Sequence, residues 1–209
     1  EDQFVASTPD YPSFTFASQT ISHENIDRYL KSAFAKIIAP TVSNRDGEAV
    51  LTGLGCYKAG ELVIDNSIYA QGILKLMNER EQNMVVNKDE ILELLPRSEN
   101  VWFSKDYHLD AAFEFVALAV LAAIGECEIT LNSGETLNAS NLEKLRTLQS
   151  DDYFTFSNIK RPKALNIPVL RELTKCFCGR DLSNQLDQQA TYTLLSSEAR
   201  KLAADCATF

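Results

Sequence analysis

Two stretches of this chain carry residue types at spacings that invite a chemical reading. Gly55-Cys-Tyr-Lys-Ala-Gly60 has the four-residue gap between glycines of a phosphate-binding loop, in which backbone N–H groups cradle a nucleotide. The next two positions argue against it. Glu61 and Leu62 stand where a lysine and a hydroxyl would contact phosphate and magnesium, and a carboxylate there repels the ligand. The segment reads as a glycine-rich turn. Leu62-Val-Ile-Asp65 imitates an apolar strand ending in a metal-binding aspartate, yet Asp65 or Asn66 ahead of a helical stripe is more simply a helix cap.

The second stretch is basic. Residues 1–159 hold 12 Lys and Arg against 24 Asp and Glu, whereas residues 160–180 hold six basic residues and one acid, Glu172. Lys160, Arg161, Lys163, Arg171 and Lys175 are therefore the candidate nucleic-acid contacts, since non-specific affinity for phosphate rests on clustered cations. Over the rest of the surface a net charge of −9 works the other way. Binding to DNA is disfavoured on that balance, and the basic segment keeps it open as an alternative.

No constellation for nucleophilic catalysis emerges. The serines and cysteines lack a neighbouring base, and His23 and His108 sit in no recognisable signature. Asp151-Asp152 reads as a solvated turn rather than a catalytic pair. Cys176 and Cys178 supply two ligands where tetrahedral zinc takes four, and both histidines are far away in sequence. We assign no catalytic residue and no metal ligand. The five cysteines are odd in number and irregularly spaced, so reduced thiols are expected.

These residues need elements to hold them. A composition of 45% hydrophobic and 23% charged residues supports a substantial core. Residues 1–21 read as an extended lead-in lying on another surface. Ser22 is expected to cap an amphipathic helix with Ile26, Tyr29, Leu30, Ala33, Phe34, Ile37 and Ile38 inward, closed by Pro40. A helix over the apolar part of 46–60 has a glycine-rich exit, and another follows with Ile68, Tyr69, Gly72, Ile73, Leu76 and Met77 inside. Asn87 and Glu90 form a capping box for a short helix through Leu95.

Asp110 to Ile124 reads as a helix apolar almost all round, Glu114 being the single exception in the run from Ala111, and Gly125 is its natural C-cap. Cys127, Ile129 and Leu131 alternate into a hairpin with Glu135 to Leu137, and a helix from about Ser140 buries Leu142, Leu145 and Leu148. Tyr153 to Phe156 is a candidate strand, Val169, Leu170, Leu173 and Phe177 suit a helix, and another helical pattern runs from Gln185 to Cys206. The expected fold is mainly α: a multi-helix bundle with a small β-hairpin. It divides into the lead-in at 1–21, a helical subdomain at 22–100, the buried central helix with hairpin and helices at 101–180, and a helical segment at 181–209.

From Asn87 to Leu137 the order of short helix, loop, longer helix and hairpin is winged-helix-like. A DNA reader of that kind presents Arg, Lys, Asn or Gln from its last helix. Here that helix has no basic residue, and the hairpin carries Glu126, Glu128 and Glu135. A packing role fits better than a reading role. The apolar run is about 14 residues, short of the roughly 20 that cross a bilayer, and no secretory leader is visible. A cytoplasmic location without a membrane partner is expected. The chain starts at Glu1 without an initiator Met, as a piece of a longer protein would.

One family shares these signposts in order: Lys105-DYHLD-Ala111, the apolar helix ending Ala-Ile-Gly-Glu126, the hairpin, Asn138-ASNLEKL-Arg146, and Phe156-SNIKRPKAL-Asn166 with Leu170 and Leu173. Together they resemble a segment, about residues 100–178, of the large ATPase of BREX and Pgl phage-exclusion systems. The resemblance implies a parent of well over a thousand residues, whose ATP and magnesium bind in a phosphate-loop region outside this fragment. It also implies other antiviral defence proteins, some DNA-modifying, as partners beside the parent's own ATPase region. The fragment itself is then not an enzyme and needs no cofactor; it is an ATPase-associated module for protein–protein interaction and regulation. No catalytic residue of the family maps onto a position here.

Overall fold

Ala111 to Ile124 form one helix, and residues 112–123 are buried along its whole length. The computed structural model describes residues 12–81, 84–91, 109–148 and 156–162, with the single positions 176, 197 and 199. The chain divides into two compact units, residues 1–161 and 162–209; the fold below is that of the first. In order its elements are α1 (Ile26–Ile38), α2 (Arg45–Gly53), β1 (Tyr57–Lys58), β2 (Glu61–Leu62), α3 (Ile68–Asn78), β3 (Val85–Asn87), α4 (Lys88–Ile91), α5 (Ala111–Ile124), β4 (Glu128–Leu131), β5 (Thr136–Leu137), a 3-10 helix (Leu142–Arg146) and β6 (Phe156–Lys160).

A helix apolar all round needs cover on every side. For α5 it comes from α1, α3 and β4, and from β6 through Phe156. Phe34 of α1 meets the Phe115 ring edge-on at 6.0 Å, and Phe115 lies 5.8 Å from Phe156 of β6. An aromatic column thus runs from helical layer to sheet. Asp110 caps α5 through a 2.9 Å bond from Ala112 N–H, and Gly125, at φ 94, turns the chain so that Gly125 and Glu126 N–H both close on Leu121 O. Core residues from Tyr29 to Ile159 form a single cluster.

The expectation of a mainly α bundle with one hairpin is overturned. Among the described residues 46% are helical and 14% lie in strands, in two antiparallel sheets of two and four strands. The larger has the order β3-β6-β4-β5. What reads as a two-strand wing after a winged-helix-like order is therefore part of a wider sheet, with β4 inside it and paired on its other side with β6, drawn from residue 156 onward. Of the strand expected at Tyr153 to Phe156, only Phe156 is among the described residues, and it opens the strand Phe156–Lys160.

Physical reasons for the miss can be named strand by strand. Phe156 and Ile159 are both buried although three residues apart, a spacing that breaks strand alternation. A bulge accounts for it: Thr130 faces Asn158 and Leu131 faces Phe156, so Ser157 is the extra residue. β3 is three residues long, with only Val86 buried, and its partner lies more than 70 residues away. β1 and β2 are joined by Ala59-Gly60 at φ 53 and 93, a two-residue turn of the I′ type; alanine at its first position hides the usual Asn-Gly signal.

Several ends shift by a few residues. Asn25, not Ser22, stands at the start of α1, with Ser22 N–H bonded to its side chain at 2.8 Å. Ser67 caps α3 instead of Asp65 or Asn66. The helix expected from Ser140 is a 3-10 helix, and Leu142, Leu145 and Leu148 are buried beneath it. Asn87 and Glu90 do make the reach-back half of a capping box, Glu90 Oε2 accepting from Asn87 N–H at 2.8 Å. Of the helices expected at 169–177 and 185–206 only positions 176, 197 and 199 are described, each helical, and the pair Asp151-Asp152 lies outside the described residues.

Candidate functional site

Lys160 and Arg161, the first two candidate nucleic-acid contacts, sit where β6 leaves the sheet beside the start of β3. Lys160 faces Glu128 across the β6–β4 pair, its Nζ 3.2 Å from the carboxylate. Arg161 donates to the backbone carbonyl of Arg80, just past α3. Arg80 in turn pairs with Glu90, whose other oxygen holds the backbone and side-chain amides of Asn87 at 2.8 and 3.2 Å. The junction ties α3, α4, β3, β4 and β6 together with charge.

Both basic side chains thus have internal partners. Lys160 keeps 37% side-chain exposure, so the pair is worth about 1 kcal/mol or less. Its significance is one of vacancy: a cation opposing a carboxylate at this distance offers little net potential to a phosphate. Lys163, Arg171 and Lys175 lie outside the described residues, so two of the five are placed and brought together. Sequence reasoning weighed 160–180 as a run and had no means of pairing Lys160 with a glutamate 32 residues earlier.

The glycine-rich stretch has a structural use for each glycine. At Gly55, φ 70, a Cβ would stand 2.5 Å from Asn66 O, so only glycine lets the chain pass there. Gly60 completes the β1–β2 turn. Between them Cys56 is fully buried, and its thiol lies 3.3 Å from Ser67 Oγ. Ser67 donates to Leu54 O at 2.6 Å and accepts from Ala70 N–H at 3.2 Å. Burial pushes the Cys56 thiol up to about 11, despite the opposing hydrogen bond with Ser67. A thiol held protonated in this way is inert as a nucleophile.

Lys36 was missed as a buried charge. Its side chain is 3% exposed, with Nζ 2.9 Å from Val42 O, 3.7 Å from Glu48 and 4.8 Å from the Tyr57 ring centre. The signal was present, since Lys36 follows Tyr29 by seven residues and shares its inward stripe. It fixes the α1–α2 connection, and nothing around it converges on a ligand. His23 is exposed in the turn before α1; His108 is outside the described residues. Cys127 is buried, and desolvation, reinforced by Glu126 and Glu128, raises its thiol strongly. Cys56, Cys127 and Cys176 are free thiols.

Among the described residues no group of three or more His, Cys, Asp or Glu is placed to hold a metal ion, and no helix is long and apolar enough to cross a membrane. Residues 26–161 match the family described as "Family of unknown function (DUF6079) 4th domain". No curated protein and no solved structure matches the chain.

Proposed function

Because the chain belongs to the fourth-domain family of DUF6079 proteins, we propose that it is one module of a longer protein. In this reading it is a non-catalytic interaction and regulatory region of a large antiphage-defence ATPase of the BREX/Pgl kind. It works in the cytoplasm and relays the nucleotide state of the parent's ATPase region to other defence proteins. ATP and magnesium bind elsewhere in the parent. Support comes from the family's own description as a fourth domain and from the ordered signposts between Lys105 and Leu173.

The observation that carries the reading is the enclosure of α5. Its buried length, and the Phe34–Phe115–Phe156 column that crosses it, make the helical layer and the sheet one mechanical body. Close-packed interiors transmit displacement instead of absorbing it. Nucleic-acid binding through Lys160 and Arg161 is the weaker reading, because both have partners within the fold.

The test uses the full-length parent. Replacing Phe115 by Leu is expected to leave ATP binding intact while uncoupling turnover from partner addition, and the isolated chain is expected to neither bind nor turn over ATP. Turnover by the isolated chain at micromolar affinity would sink the proposal. So would full-length Phe115→Leu protein whose response to partners is unchanged.

A further inference from the structure

Residues 12–21 have no regular secondary structure, and most are exposed. They are nonetheless fastened at several points. Phe14 lies over Phe113 of α5 with ring centres 4.7 Å apart, and it packs so closely on Gly53 that a Cβ there would be 2.6 Å from the ring. Asp46 at the start of α2 accepts from Ser18 twice, from N–H at 2.9 Å and from Oγ at 3.0 Å. Tyr29 Oη accepts from Gln19 N–H at 2.9 Å and donates to Gln19 O at 2.8 Å. Arg45 donates to Phe16 O at 3.2 Å.

We propose that residues 13–21 form a latch that opens and closes as one local unit across α1 and α2, with Asp46 as its keeper and Phe113 of α5 as the face it uncovers. The fastening is by side chains at separate points, not by a ladder, and the segment lies before the residues matched by the family. Segments with few buried contacts and exposed backbone open without global unfolding. Desolvation pushes the Asp46 carboxyl up, but the two Ser18 bonds with Arg28 and Arg45 outweigh it and hold the group below its ordinary value. The carboxylate is therefore the form that grips. Since Phe14 ends on α5, the latch ties residues 13–21 to the central helix.

Amide hydrogen exchange on the whole 209-residue chain tests this. In the wild type, Ala17, Ser18 and Gln19 amides are expected to exchange more slowly than in a free peptide and faster than those of α5. Asp46→Asn is expected to speed the first group about tenfold, as loss of a charge-assisted bond implies, with α5 unchanged. Ser18→Ala, which keeps the backbone donor, is expected to give a smaller rise of the same kind. Free-peptide exchange in the wild type overturns the latch, as does α5 accelerating in step with it. No response in either variant overturns Asp46 as the keeper.

Discussion

Replacing Gly47 by Ala is expected to destabilise the fold, against the ordinary rule for a helix. On propensity alone the change favours α2 by about 1 kcal/mol. A Cβ at this position, however, would lie 2.8 Å from the carbonyl carbon of Ser32 in α1 and nearer still to its oxygen. Carbon contacts relax at about 3.5–4.0 Å, so α1 and α2 must part by roughly 1 Å, enough to forfeit a quarter to a half of the dispersion attraction across the gap. The same carbonyl accepts from Asn44 Nδ2 at 3.0 Å, while Asn44 Oδ1 caps α2 through Gly47 N–H at 3.0 Å. Straining these bonds adds about 1 kcal/mol each. The net expectation is a loss of about 2–4 kcal/mol, read as a lower urea midpoint with unchanged slope. Gly60→Ala, with nothing within 4 Å of its Cβ and φ 93, is the control: backbone strain alone, about 1–2 kcal/mol. A Gly47→Ala protein as stable as wild type would refute the close crossing of α1 and α2.

Three further outcomes are expected. Desolvation raises the Glu126 carboxyl above its ordinary value of 4.5, so ionisation opposes folding as pH rises from about that value through the folded one; Glu126→Gln should stabilise at pH 7 and have no such benefit at pH 3, measured by urea melts at both. Iodoacetamide at pH 8, followed by peptide mapping, should label exposed Cys176 in the native protein and reach Cys56 and Cys127 only after unfolding; rapid native labelling of Cys56 would contradict its burial. If the chain retains duplex DNA at low salt, Lys160→Glu should change that affinity less than Lys163→Glu, because Lys160 already faces Glu128, with a gel shift across salt as the measure.

How far the fold could be read from sequence depended on whether the signal was local. α5 was legible to within one residue, because its apolar run and Gly125 stop are local signals, whereas Asp110, expected as its first helical residue, caps it instead. The inward stripes of α1 and α3 were legible for the same reason, except that Ile68, expected inside, is exposed at the first turn of α3, and so was the β4–β5 hairpin around Ser133-Gly134. β3 and β6 were not, since three residues and a bulged five carry almost no period of their own. Their partners are chosen by the core that α5 creates, which no window of the sequence contains. The junction of Arg80, Glu90, Arg161, Lys160 and Glu128 was invisible for the same reason: it exists only once β6 has docked.

That docking changes the meaning of the charge distribution. With Lys160 and Arg161 assigned to the first unit, residues 1–161 carry 14 Lys and Arg against 24 Asp and Glu, a net −10, and residues 162–209 carry the balance of +1. The basic run that stood out along the chain is thus cut at Arg161, its first two members being spent on holding the sheet to α3. What is left of the first unit is an acidic body with an enclosed core, and long-range forces of that sign draw a basic protein surface towards it and turn a phosphate backbone away. A partner selected by this unit is therefore expected to be protein, with its own cations supplying the attraction. Raising the ionic strength should slow that association far more than it speeds dissociation, whereas a contact made chiefly by apolar groups would show neither effect.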